Sequence, residues 1–113
     1  MSFSVIYSDE AKEDIFRNAD WWARNHSLAQ AKIWLNAIYN QIDSLADMPE
    51  RCPLAVENDR FDIDIRQFLV GQGARKRYRT IFTVTNDTVH ILALLDGAQA
   101  ELLPDNLPPH DNS

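Results

Sequence analysis

A chain of 113 residues with 45% apolar and 25% charged residues is of a size for one globular domain with one core of ordinary size. Its formal net charge of −6 argues against bulk nucleic-acid binding, because phosphates repel an acidic surface. A single cysteine, Cys52, excludes an internal disulfide, and no apolar run approaches the roughly 18 residues of a membrane span. The N-terminal MSFSVIYSDE has neither a basic n-region nor an apolar h-region, so no secretory signal is expected and a cytoplasmic location is.

In chain order, Phe3, Val5 and Tyr7 alternate with Ser2, Ser4 and Ile6, the period of a short strand. Ser8 followed by Asp9 and Glu10 predicts an N-cap and an acidic first turn, which suits the positive end of a helix dipole. Ala11, Ile15, Ala19, Trp22 and Ala23 then recur at helical spacing to about Asn25. Ser27 with Gln30 has the form of a capping box opening a second helix. Its apolar seam is Leu28, Ala31, Leu35, Ile38, Ile42 and Leu45, and Pro49 predicts an end near Asp47.

Residues 49–61 read as a loop. Ile63–Val70 reads as a strand whose apolar parity slips between Ile65 and Phe68, which calls for a bulge or for burial on both faces. Gly71-Gln72-Gly73 turns the chain into a long strand from Lys76 to Thr85. Asn86-Asp87 has the composition of a two-residue hairpin turn. The near-continuous apolar run Thr88–Leu95 predicts a central strand. The expected fold is α+β in the order β-α-α-β-β-β, a helical hairpin on one face of a small, mainly antiparallel sheet. One domain is expected over 1–103, with a fraying proline-rich tail over 104–113.

Several segments resemble the RelE/ParE toxins of type II toxin–antitoxin modules. They are AKIWLNAIYNQIDSLADMPERCP at the helical hairpin and its exit, IRQFLVG, RYRTIFTVTNDTVHILAL and the following DGA, together covering roughly residues 3–98. The resemblance implies a growth-inhibiting toxin wrapped and neutralised by a cognate antitoxin. The family holds two activities: RelE-like members cleave messenger RNA on the ribosome, and ParE-like members inhibit by binding, with DNA gyrase the described target. Cleavage through the 2′-hydroxyl needs a base, an acid and a cation on the phosphate. Arg79 matches the strand arginine of the RNases. The segment after the last strand, DGAQAELLPDNL, contains no Arg, Lys, His or Tyr, and the loop AVENDRFDID is acidic where those enzymes are lysine-rich. The resemblance therefore leans to the ParE-like side, acting by binding. A RelE-like ribonuclease and a non-toxic binding module are the alternatives.

Positive charge is concentrated. Arg66, Arg75, Lys76, Arg77 and Arg79 are five of the 11 basic residues, and no acid lies between Arg66 and Arg79. Arg75, Lys76, Arg77 and Arg79 are expected to form a partner- or target-binding patch, or else a solvated strand face on which Arg77 and Arg79 pair with Asp62 or Asp64. Arg66 reads as structural. Trp22 and Trp34 suit the core, whereas Trp21 lies about 100° from the buried stripe of its helix and is the aromatic expected to be exposed to a partner. His90 reads as a sheet residue. Cys52 has no His or Cys at ligand spacing, so neither a metal site nor a cofactor is expected.

Overall fold

A computed structural model describes residues 2–72 and 77–96. The elements are β1 (Ser4–Tyr7), α1 (Asp9–Asn25), α2 (Leu28–Asp43), β2 (Arg66–Val70), β3 (Tyr78–Thr85) and β4 (Thr88–Asp96). The sheet order is β1-β4-β3-β2. The two hairpin pairings are antiparallel, and β1 lies parallel to β4. The expected α+β order is observed, with β4 internal. Lys76, Gly73 and the tail 104–113 lie outside the described residues.

Local chemistry sets the helix boundaries. Ser8 Oγ accepts from the Ala11 N–H at 3.0 Å, and Ser27 Oγ accepts from the Gln30 N–H at 3.1 Å, so both predicted N-caps form. Ser8 also donates its backbone N–H to the Ile91 carbonyl at 2.9 Å and its hydroxyl to the Leu92 carbonyl at 3.2 Å. Further along, Asp14 Oδ2 accepts from the Leu94 N–H at 3.0 Å. α1 thus takes over the edge of β4 where the four-residue β1 ends, and backbone groups that would otherwise be orphaned find partners.

The helices bury one face of the sheet. Ile15, Trp34, Ile38 and Ile42 meet Val70, Tyr78, Phe82, Val89, Ile91 and Leu94. Of the expected α2 seam, Ala31, Ile38, Ile42 and Leu45 are buried and Leu35 packs against them, while Leu28 is exposed; Trp34, expected in the core, fills it and sits edge-on to Tyr78, ring centroids 5.4 Å apart. After α2 a 3-10 turn, Ser44–Ala46, leads to Met48 at φ 52°, and this left-handed residue reverses the chain before Pro49. The side-chain amide of Gln41 ties α2 to the end of β2, donating to the Gly71 carbonyl at 2.7 Å and accepting from the Gly71 N–H at 3.0 Å.

The parity slip in residues 63–70 arises from burial on both faces. Phe68 and Val70 face the helices, whereas Ile65 joins Ala55, Ile81, Leu92 and Ala93 on the opposite face. β2 itself begins only at Arg66, and Ile63 is exposed. A bulge does exist, one ladder away: Ile81 pairs with Ala93 and Phe82 with Ile91, leaving Leu92 as the extra residue. It shifts the parity of β4, so its apolar run serves both faces. Asn86, at φ 56°, makes the predicted β3–β4 turn.

Candidate partner-binding site

The second face of the sheet is covered by a closed loop. Leu54 bridges Arg66, Ala55 N–H donates to the Ile65 carbonyl at 2.7 Å, and Gln67 N–H donates to the Pro53 carbonyl at 3.1 Å, so the two ends of residues 53–67 are zipped together. Arg66 secures the entry, donating from Nη1 to the carbonyls of Cys52 at 2.6 Å and Glu50 at 3.2 Å, which is the structural role its position suggested. Within the loop, Asn58 Oδ1 accepts from the Ile65 N–H at 2.8 Å, and the Thr83 hydroxyl donates to the Asp64 carbonyl at 2.8 Å. Compact loops with joined ends are packed by their own side chains and cover what lies beneath them.

What lies beneath is Arg79. Its Nη1 and Nη2 donate to Glu57 Oε1 and Oε2 at 3.0 and 2.6 Å, and Nη1 also donates to Gln67 Oε1 at 3.1 Å. The Glu57 side chain is 0% exposed and that of Arg79 13%. A bidentate fork of this kind fixes both planes and neutralises the buried carboxylate. The arginine was expected to pair, if at all, with Asp62 or Asp64. The closed loop instead carries Glu57 over β3 and leaves Asp62 and Asp64 exposed.

Arg77 precedes β3, is 67% exposed on its side chain and meets Asp96 at 3.4 Å. Arg75 and Lys76, the other members of the expected patch, lie outside the described residues. Trp21 is exposed at the C-terminal end of α1. It stands edge-on to Trp22 and His26, with centroids 5.4 and 5.6 Å away, while Trp22 stacks on His26 at 4.7 Å. His26 caps α1 through its backbone N–H, which brings its ring back over Trp22. Phe16, Leu28 and Ile33 add exposed apolar side chains on the two helices.

The remaining candidates are quiet. Cys52 is buried and its thiol is pushed up by burial, against a smaller opposing pull from Arg51 and Arg66. No group of His, Cys, Asp and Glu able to hold a metal occurs among the described residues. His90 sits in β4 opposite Thr83 and beside Ile6. Among the described residues no helix is long and apolar enough to cross a membrane.

Residues 5–101 match the family described as the ParE toxin of type II toxin–antitoxin systems, parDE. The chain belongs to the ParE toxin family. Among solved structures it is similar to a chain of the chromosomal ParDE TA system from P. aeruginosa, at 14% identity and a TM-score of 0.67, covering 84% of this chain and 96% of that one. That likeness is one of fold. No curated protein sequence matches significantly.

Within this ParE-family chain, sequence reasoning missed Glu57 and His26. Glu57 lies among five acids between 50 and 64, and nothing in spacing separates the one that is buried from those that are exposed. His26 had a usable signal, since it follows Trp22 by four residues, one helical turn.

Proposed function

We propose that this ParE-family chain inhibits growth by binding a target protein in the cytoplasm, with DNA gyrase the target expected from the family resemblance, and that a cognate antitoxin neutralises it. The observation that carries the binding reading is the state of Arg79. The residue that matches the strand arginine of the ribonucleases is held through Nη1 and Nη2 on a buried glutamate. A guanidinium so engaged is not poised to balance charge on a scissile phosphate, because freeing it strands the Glu57 carboxylate out of water. The composition of residues 96–107, with no Arg, Lys, His or Tyr, supports the same reading.

Two contact surfaces follow. The hairpin side, with Trp21 at its tip, suits the apolar face of an antitoxin helix. Arg77, with Arg75 and Lys76 before it, supplies the positive charge for acidic groups of antitoxin or target, and the acidic remainder suppresses non-specific contacts. Arg79 contributes by anchoring the loop over β3. Co-expression tests the proposal: the chain alone arrests growth, and the product of the adjacent gene relieves the arrest and copurifies. A chain that is harmless alone and ignores that product would refute it.

A further inference from the structure

One residue of α2 breaks a local rule. Lys32 and Asp43 are the only charged residues of the helix, and Asp43 is its last residue, at the negative end of the dipole, with no basic residue in the last turn. Lys32 is about 16 Å away along the axis, from a rise of about 1.5 Å per residue. An acid at that end is disfavoured locally, and what surrounds it is aromatic. The Tyr7 hydroxyl donates to Asp43 Oδ1 at 2.7 Å, and the Tyr7 ring stands edge-on to Tyr39, centroids 5.5 Å apart and planes at 69°. Tyr39 and Asp43 are four residues apart on α2, so they share a face. Both tyrosines are partly exposed and Asp43 is exposed. Burial, and then the Asp43 carboxylate, hold the Tyr7 hydroxyl protonated well above the ordinary tyrosine range, so it remains a donor to that carboxylate. Among the described residues no cation pairs with Asp43. The corner lies where α2 meets β1, the edge strand of the sheet.

A carboxylate with one oxygen held by a phenol, flanked by two aromatic rings at a steep angle, is the complement of a basic side chain. We infer that Tyr7, Tyr39 and Asp43 form a recognition corner for an arginine side chain of the antitoxin, an inference that rests on the antitoxin reading above. The guanidinium donates to the free Asp43 oxygen and lies against ring faces, which a planar, weakly hydrated cation does better than an ammonium. The acidic chain draws such a side chain in, and its arrival offsets the unfavourable charge at the end of α2.

The test uses the whole chain and the purified product of the adjacent gene, titrated calorimetrically. Asp43→Asn keeps an oxygen for the Tyr7 hydroxyl and removes only the charge. It should weaken binding about ten- to hundredfold, the range for a charge-assisted hydrogen bond, and flatten the salt dependence. Tyr39→Leu should weaken it about two- to fivefold through loss of the ring face. Melting curves of both variants within a few degrees of wild type exclude a folding effect. Wild-type affinity in Asp43→Asn, or an unchanged salt slope, overturns the inference while leaving the antitoxin reading intact. Failure of the wild-type chain to bind refutes both. Loss of growth arrest with antitoxin affinity unchanged would assign the corner to the target and overturn the inference as stated.

Discussion

Replacing Arg79 by alanine is the perturbation on which the structure makes its largest claim. The change removes both bonds from the Arg79 guanidinium to Glu57, a carboxylate of zero exposure. Breaking a buried pair from one side costs about 3–5 kcal/mol, because the remaining charge stays out of water. With an unfolding entropy of about 2.1 cal/mol/K per residue, each kcal/mol is about 4 °C for a domain of this length, so the melting temperature should fall by about 12–20 °C. Glu57→Gln should cost less, since Arg79 retains some exposure and its bond to Gln67. Glu57→Leu with Arg79→Leu should recover most of the loss, because an apolar pair of similar volume removes the stranded charge. Circular dichroism melts of the four proteins at neutral pH give the comparison, with Arg77→Ala as the exposed control expected within about 1 kcal/mol of wild type. If Arg79→Ala melts within a few degrees of wild type, the pair does not anchor the loop and Arg79 is not committed to the fold.

Other outcomes follow from the same structure. Trp34→Ala should cost about 3–5 kcal/mol by denaturant unfolding, whereas Trp21→Ala should leave stability within about 1 kcal/mol and weaken antitoxin binding instead. Met48→Gly relieves a positive φ and should stabilise by about 0.5–1 kcal/mol, and Asn86→Ala should destabilise by about 1 kcal/mol where Asn86→Gly does not, all read from urea midpoints. Tyr7 and Tyr39 are both raised by burial and by Asp43, so the folded state keeps their protons when the unfolded chain, near pH 10, loses them. Their contribution is therefore present below about pH 10 and falls as pH rises further; Tyr7→Phe should flatten that decline in melts taken from pH 9 to 11.

Much of the fold was legible because its signals are local. Ser8 and Ser27 cap where their side chains can reach the next turn, Asn86 takes the positive φ that a tight hairpin demands, and the apolar run of β4 reports an internal strand. Leu28 was less legible, since its helical spacing matches the buried residues of α2 although it is exposed. The site was less legible still. Glu57 meets Arg79 across 22 residues of chain, and Tyr7 meets Asp43 across 36, so neither pairing has a spacing to detect. Those contacts exist only once the loop is folded over β3 and β1 is laid beside β4. The bulge at Leu92 shows the same limit: the unbroken apolar run of β4 carries no mark of the position at which its parity shifts.

A ParE-family chain that acts by binding, with Arg79 committed to Glu57, inhibits growth without cutting RNA. Mapping messenger RNA 5′ ends in bacteria after induction of the chain, with and without the product of the adjacent gene, tests it most directly. The expected result is growth arrest relieved by that product and no new 5′ ends inside coding regions. Codon-phased cleavage appearing on induction, and lost in Arg79→Ala that still folds, would contradict it.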